Sequence, residues 1–341
     1  MQDRLLFIIS PPRAGSTLLQ HMLGSHSQIF TYPEPHLITP LAFLGFHDLV
    51  DKAPYDHVNA AEAMKTFVAG LPRGEDDYLD ALRAYSDTLY GRMLLPTGKR
   101  YFLDKTPAYA LVMPFLTRLY PRARYVVLTR HPLAVASSYA ESFFHGDWTA
   151  ANLFNPVVNR YVPAIARVLR EPPQHLLHVG YEQLVREPEA QLAEIFRFLA
   201  LPDEPQVVSY AGRYTPVRGG RGDPIGVGVH TRPTDASVDR FRDELVLDPR
   251  KRAVAAQIVA ALDPDDVARW GYDHAELSDA TRAAQPANVN MPAARKAGHD
   301  AARGYLLQRR IMLALKKNIR ERPHGRVVER VRYYCNVLLR E

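Results

Sequence analysis

Hydrophobic positions along the chain follow two alternating patterns. Residues 5–10 form a continuous apolar run that stops at Pro11 and Pro12, as expected of a short strand buried on both faces. Directly beyond it, Leu18, Leu19, Met22 and Leu23 recur at helical spacing within residues 16–25. Residues 124–129 repeat the arrangement: an apolar run, then His131 and Pro132, then a helical pattern over 133–144 with the proline near the helix start, where it is tolerated. Residues 176–179 are a third strand candidate and 101–103 a weaker fourth. Strands alternating with helices predict an α/β fold with a central parallel sheet flanked by helices.

Other segments break this rhythm. Residues 36–100 carry no strand signal and are expected to be a helical insertion. Residues 212–235 are rich in Gly and Arg and poor in apolar side chains, which predicts a long functional loop. Helical periodicity returns over 238–262, and residues 269–272, with Trp270 at their centre, are expected to close the core. The Ala-, Asn- and Pro-rich stretch 273–295 is expected to be a linker. Residues 296–341 then show two helical faces, one through Leu306, Leu307, Ile311 and Leu315, the other through Val327, Val331, Cys335 and Leu338.

Composition narrows the class. With 47% hydrophobic and 23% charged residues over 341 positions, the chain is globular and not disordered throughout. Its one cysteine, Cys335, cannot form an internal disulfide, which suits a reducing compartment. No apolar run approaches the roughly 18 residues of a membrane span, and the N-terminal run is too short and too soon charged for a secretory signal. A cytoplasmic protein is expected. The net charge of +6 is unevenly distributed: residues 291–341 hold 13 Lys or Arg against 4 Asp or Glu, a net +9, which leaves the other 290 residues at −3. A basic tail raises nucleic-acid binding, yet its aromatics are only Tyr305, Tyr333 and Tyr334, too few for an interleaved stacking platform, so no nucleic-acid partner is expected. Its helical faces fit packing on the body, a second copy in a homodimer, an acidic partner or a membrane surface.

The first strand-to-helix junction carries candidate chemistry. Arg13, Ala14, Gly15, Ser16, Thr17 and Leu18 join the two elements. A helix N-terminus offers unpaired N–H groups to an anion, Gly15 permits close backbone approach, Ser16 and Thr17 add hydroxyls, and Arg13 adds a charged fork. The loop lacks the lysine of a Walker A motif, which weighs against a P-loop-like nucleotide kinase.

At these residues the chain resembles the sulfotransferases that use 3′-phosphoadenosine 5′-phosphosulfate (PAPS), in the bacterial branch and with similarity to the tyrosylprotein type. The resemblance covers roughly residues 4–272 and implies a sulfotransferase domain over 1–272, built on the parallel sheet with a P-loop-like phosphosulfate-binding loop, plus helical insertions and a helical C-terminal extension. It also implies that Arg130 and Ser138, eight residues apart after the strand at 124–129, hold the 3′-phosphate. Tyr181, within the segment Gly180, Tyr181, Glu182, is implied to lie near the adenine, and Arg218 to belong to the loop that closes over the nucleotide. Residues 104–107 resemble a segment of the tyrosylprotein and bacterial branches. The implied reaction moves a sulfuryl group from PAPS to a hydroxyl acceptor and releases 3′-phosphoadenosine 5′-phosphate (PAP), without a metal.

Sulfuryl transfer needs a base for the acceptor hydroxyl and cations for the leaving phosphate. Arg13 and the loop amides suit the cationic task, with Lys105 on the bridging oxygen. Glu34 is the first candidate for the base, because the resembled branch has a glutamate shortly after the first helix; His36 and His230 are the alternatives. The 36–100 region, with Phe143, Phe144 and Trp148, is expected to wall a small-molecule, lipid-like or carrier-bound acceptor. Apart from the kinase, the rival is a non-enzymatic binding protein acting through the basic tail.

Overall fold

Five strands form one sheet in this computed structural model, which describes residues 1–48, 57–211 and 231–282. They are β1 (Leu5–Ile9), β2 (Ile29–Pro33), β3 (Tyr101–Lys105), β4 (Arg124–Thr129) and β5 (Leu176–Gly180). Their order is β2-β3-β1-β4-β5, and every neighbouring pair is parallel. The four strands anticipated from apolar runs are present, and β3 extends two residues further, through Asp104 and Lys105. The fifth, β2, lies at an edge; its side chains alternate between buried and half-buried, and it ends on a proline, so no continuous apolar run marks it.

Helix α1 (Ser16–Gly24) leaves β1, and α2 (Ile38–Ala42), α3 (His57–Ala69) and α4 (Glu75–Leu94) lie between β2 and β3. Helix α5 (Met113–Leu119) precedes β4, while α6 (Pro132–Phe144), α7 (Trp148–Phe154) and α8 (Val157–Arg170) join β4 to β5. Then come α9 (Tyr181–Arg186), α10 (Pro188–Leu199), α11 (Arg240–Leu247), α12 (Pro249–Ala260), α13 (Pro264–Trp270) and α14 (His274–Arg282).

Successive residues of a strand face opposite sides, so one strand feeds two cores. Leu5, Phe7 and Ile9 of β1 pack with α4, α5, α6 and α8, whereas Leu6 and Ile8 pack with α1 and α10. All five are fully buried, which explains a continuous run where a one-sided strand would alternate.

Two expectations change. The periodicity over 238–262 is divided into α11 and α12 by Asp248 and Pro249, with the Asp248 carboxylate capping α12 by accepting from the Arg250 and Lys251 amides. The expected linker 273–295 is helical in its first part: α14 buries Leu277 in the larger core, so the packed unit runs past residue 272. Trp270 closes the core as expected, and its indole Nε1 donates to the Arg130 carbonyl at 2.9 Å. Arg218 and His230 of the Gly- and Arg-rich loop, the remainder of the linker and the 296–341 extension lie outside the described residues.

From central β1 the chain moves first to β2 and β3 on one side, then to β4 and β5 on the other. The loops after β1 and β4 therefore part above the carboxyl ends of adjacent strands, where a parallel sheet opens its crevice.

Candidate active site at the carboxyl ends of the strands

The loop between β1 and α1 turns sharply through two left-handed residues, Arg13 at φ 68° and Gly15 at φ 91°. Gly15 is needed for a second reason. A Cβ there would lie 2.4 Å from the Tyr181 ring, so only glycine lets the loop pass over that ring. The N-cap of α1 is Gly15, which has no side chain to cap the first turn, and Gly15, Ser16, Thr17 and Leu18 line an adjoining cleft of about 450 Å³.

Arg130, Ser138 and Tyr181 line the same cleft. Arg130 leaves the end of β4 and is 5% exposed. Its guanidinium lies 4.4 Å over the Tyr181 ring and donates to the carbonyls of Arg13 at 3.1 Å and Ser237 at 2.7 Å. Its Nε has no hydrogen-bond partner among the described residues. Burial holds the Arg130 pKa below its ordinary value, and the neighbouring Arg13 adds to this while Tyr181 and Glu182 oppose it. Ser138, on the first half of α6, accepts from Arg13 Nε at 3.3 Å. Of the residues anticipated for the nucleotide, Arg13, Gly15, Ser16, Thr17, Leu18, Arg130, Ser138 and Tyr181 are thus brought together around one cleft. A buried guanidinium with a spare donor, beside a second arginine and open helix amides, is suited to a multiply charged anion.

Lys105 and Glu34 meet at the neighbouring strand ends. Register pairs Pro33 of β2 with Lys105 of β3, so Glu34 begins just past the end of the ladder beside that lysine. Lys105 is 1% exposed and is no surface residue; its Nζ donates to Glu34 Oε1 at 2.5 Å and to Thr17 Oγ1 at 3.3 Å. It therefore bridges the anion loop and the glutamate. His36 Nε2 is 3.9 Å from Glu34 Oε2, and its side chain is 40% exposed. Glu34 and His36 both occupy left-handed backbone, at φ 34° and 51°. Such conformations cost about 1–3 kcal/mol each and persist only where surrounding structure enforces them.

Ser237 was not anticipated. Its carbonyl receives Arg130, and its hydroxyl shares a 2.9 Å hydrogen bond with the Tyr181 hydroxyl. It sits in an irregular stretch with no periodicity to mark it. Of the expected acceptor wall, Trp148 is buried and its indole donates to Glu244 at 3.1 Å, which makes it a structural residue. Phe144 packs on Tyr139 and Phe154, and Phe143 is exposed. Among the described residues no helix is long and apolar enough to cross a membrane.

Comparison with known proteins bears on this geometry. Nodulation protein NoeE of Sinorhizobium fredii (strain NBRC 101917 / NGR234) is 30% identical over 232 residues, covering 61% of this chain and 52% of that protein. Protein-tyrosine sulfotransferase 1 of Danio rerio is 25% identical over 202 residues, covering 58% and 53%. The chain thus spans about half the length of these relatives. The solved sulfotransferase domain from the curacin biosynthetic pathway shares the fold, with TM-score 0.50 and 24% identity over 74% of this chain and 96% of that one. The sulfotransferase domain of the Synechococcus PCC 7002 olefin synthase does likewise, with TM-score 0.50 and 23% identity over 79% and 94%. Residues 6–205, from β1 to beyond α10, match the profile of the Sulfotransferase family, and the chain belongs to that family.

Proposed function

We propose that this chain transfers a sulfuryl group from PAPS to a hydroxyl acceptor and releases PAP. The observation that carries the proposal is the adjacency of two clusters: a buried arginine whose Nε is unpartnered among the described residues, in a basic cleft, and a buried Lys105 paired with half-buried Glu34 and joined to that cleft through Thr17.

The residues fit the donor. Arg13 and the first-turn amides of α1 would hold the 5′-phosphosulfate end, Arg130 with its spare Nε and Ser138 the 3′-phosphate, and Tyr181 the adenine. Arg218 is proposed for the same site from the family resemblance alone. PAPS supplies the activated sulfuryl group. Glu34 takes the proton of the acceptor hydroxyl as its oxygen bonds to sulfur. Lys105 and Arg13 stabilise negative charge on the departing phosphate oxygen, a role in which even a single placed hydrogen-bond donor contributes roughly 10²–10³ in rate. His36 and His230 are the alternative bases. On this reading residues 1–272 carry catalysis, with 36–100 on the acceptor side.

The test is binding followed by transfer. PAP is expected to raise the melting temperature while ATP with Mg²⁺ does not; the reverse preference would favour a kinase and sink the proposal. Radiolabelled PAPS, offered with 4-nitrophenol, a tyrosyl peptide, a fatty alcohol and a hexose, then reports which hydroxyl class accepts the label.

A further inference from the structure

Beneath the Lys105–Glu34 pair lies a buried polar cluster that the transfer chemistry does not itself use. Asp104 precedes Lys105 on β3, and alternation along the strand turns its side chain to the opposite face. The carboxylate is wholly buried and accepts three hydroxyl protons: from Thr106 at 2.9 Å, from Tyr90 of α4 at 2.7 Å, and from Tyr109 at 3.0 Å. Burial pushes the Asp104 carboxyl up to about 6, while these hydroxyls and Lys105 pull it back. Four polar side chains in an otherwise apolar core are costly unless every donor is satisfied.

One of the three hydroxyls does more than satisfy the carboxylate. Tyr109 lies in a 3-10 turn, Pro107–Val112, directly after β3. Its hydroxyl donates to Asp104 and accepts the backbone N–H of Ile38 at 3.1 Å. Ile38 opens α2 and ends the short loop that carries Glu34 and His36. The other end of that loop is held from α1, where Gln20 Nε2 donates to the Tyr32 carbonyl at 3.2 Å and to Thr31 Oγ1 at 2.8 Å. A loop with two left-handed non-glycine residues would relax if either end were freed.

We infer that Tyr109, oriented by Asp104, is a positioning residue that tethers the Glu34–His36 loop to the strand bearing Lys105. The strand that delivers the ammonium thereby also fixes where the carboxylate stands. Tyr90 provides the internal control. It donates to the same carboxylate oxygen from a similarly buried ring, yet among the described residues its hydroxyl makes no hydrogen bond to the loop. The inference rests on the sulfotransferase proposal for its kinetic consequence but not for the tether itself.

The test compares Tyr109→Phe with Tyr90→Phe in the full chain. Hydrogen exchange followed by mass spectrometry is expected to show residues 34–38 exchanging at least about tenfold faster in Tyr109→Phe, with β1 unchanged, and within about twofold of wild type in Tyr90→Phe. Transfer from radiolabelled PAPS to the sulfated panel acceptor is expected to fall at least about tenfold in kcat for Tyr109→Phe alone, with KM for PAPS within about twofold. Unchanged exchange in Tyr109→Phe, or equal loosening in both variants, overturns the inference. So does a loosened loop with undiminished kcat. A wild type that neither binds PAP nor sulfates any panel acceptor defeats the sulfotransferase proposal instead, and the exchange data still decide the tether.

Discussion

The two halves of the site are held by different means. On the β1/β4 side, Arg13, Arg130, Ser138 and Tyr181 interlock directly, guanidinium to carbonyl, guanidinium to hydroxyl and cation over ring. On the β2/β3 side, Glu34 and His36 ride a strained loop past an edge strand, and among the described residues they are tied to the anion loop through one buried lysine. The first half, proposed to receive the anions of the nucleotide, is locked by contacts among its own side chains. The second needs tertiary enforcement to keep a carboxylate and an ammonium in register. Affinity for the nucleotide and competence for transfer should therefore be separable by mutation.

The largest separation is expected from Glu34→Gln. Removing a general base costs roughly 10²–10⁴ in rate, whereas PAP affinity should stay within about twofold, because Glu34 is not among the residues lining the cleft proposed for the nucleotide. Steady-state transfer and calorimetric titration on one preparation check this, and retained turnover would move the proton-accepting role to a histidine.

The two sides also respond oppositely to acid. His131, stacked on Phe241 next to Arg130, has its pKa held down by burial to about 3 from an ordinary 6.5. The unfolded chain takes up a proton below pH 6.5 that the folded protein refuses, so stability present above 6.5 is lost as pH falls toward 3. Between pH 6.5 and 4 this amounts to about 3 kcal/mol. Asp104, raised to about 6 from 3.8, contributes in the other direction: its share of stability is present below 3.8 and is lost as pH rises through 6. His131→Asn should flatten the acid limb of stability in denaturant melts at pH 6.5 and 4. Parallel losses in variant and wild type would show that His131 is not the acid-sensitive group.

A smaller effect, read in binding, is expected from Arg130→Ala. Hydrogen bonds to charged groups contribute about 1.5–3 kcal/mol, so PAP should bind roughly 10- to 100-fold more weakly, read by titration.

These halves also differ in how far the amino-acid sequence reveals them. On the anion side the strand-to-helix junction at Arg13 to Leu18 is legible from the apolar run before it, while Arg130 and Ser138, after β4, are singled out by the family resemblance. On the chemistry side Glu34, His36 and Lys105 are reached through the resemblance alone, and the local pattern is silent. β2 is short and ends in Pro33, so nothing local announces that Glu34 is aligned with Lys105. Lys105 itself lies on a strand whose apolar portion ends at Leu103, and its near-complete burial comes from the strands and helix around it. Ser237 and the Tyr109–Ile38 tether join residues 56 and 71 positions from their partners, which no short-range pattern records. The break at Asp248 and Pro249 was readable in principle, since an aspartate before a proline is a helix-start signal.

The most direct test of the division is a crystal structure with PAP bound. The expected result has the 5′-phosphate on the first-turn amides of α1 with Lys105 Nζ within hydrogen-bonding reach, the 3′-phosphate on Arg130 and Ser138, and the Lys105–Glu34 strand ends facing the position of the transferred group. PAP bound elsewhere, or with its 5′-phosphate directed away from Lys105, would contradict it.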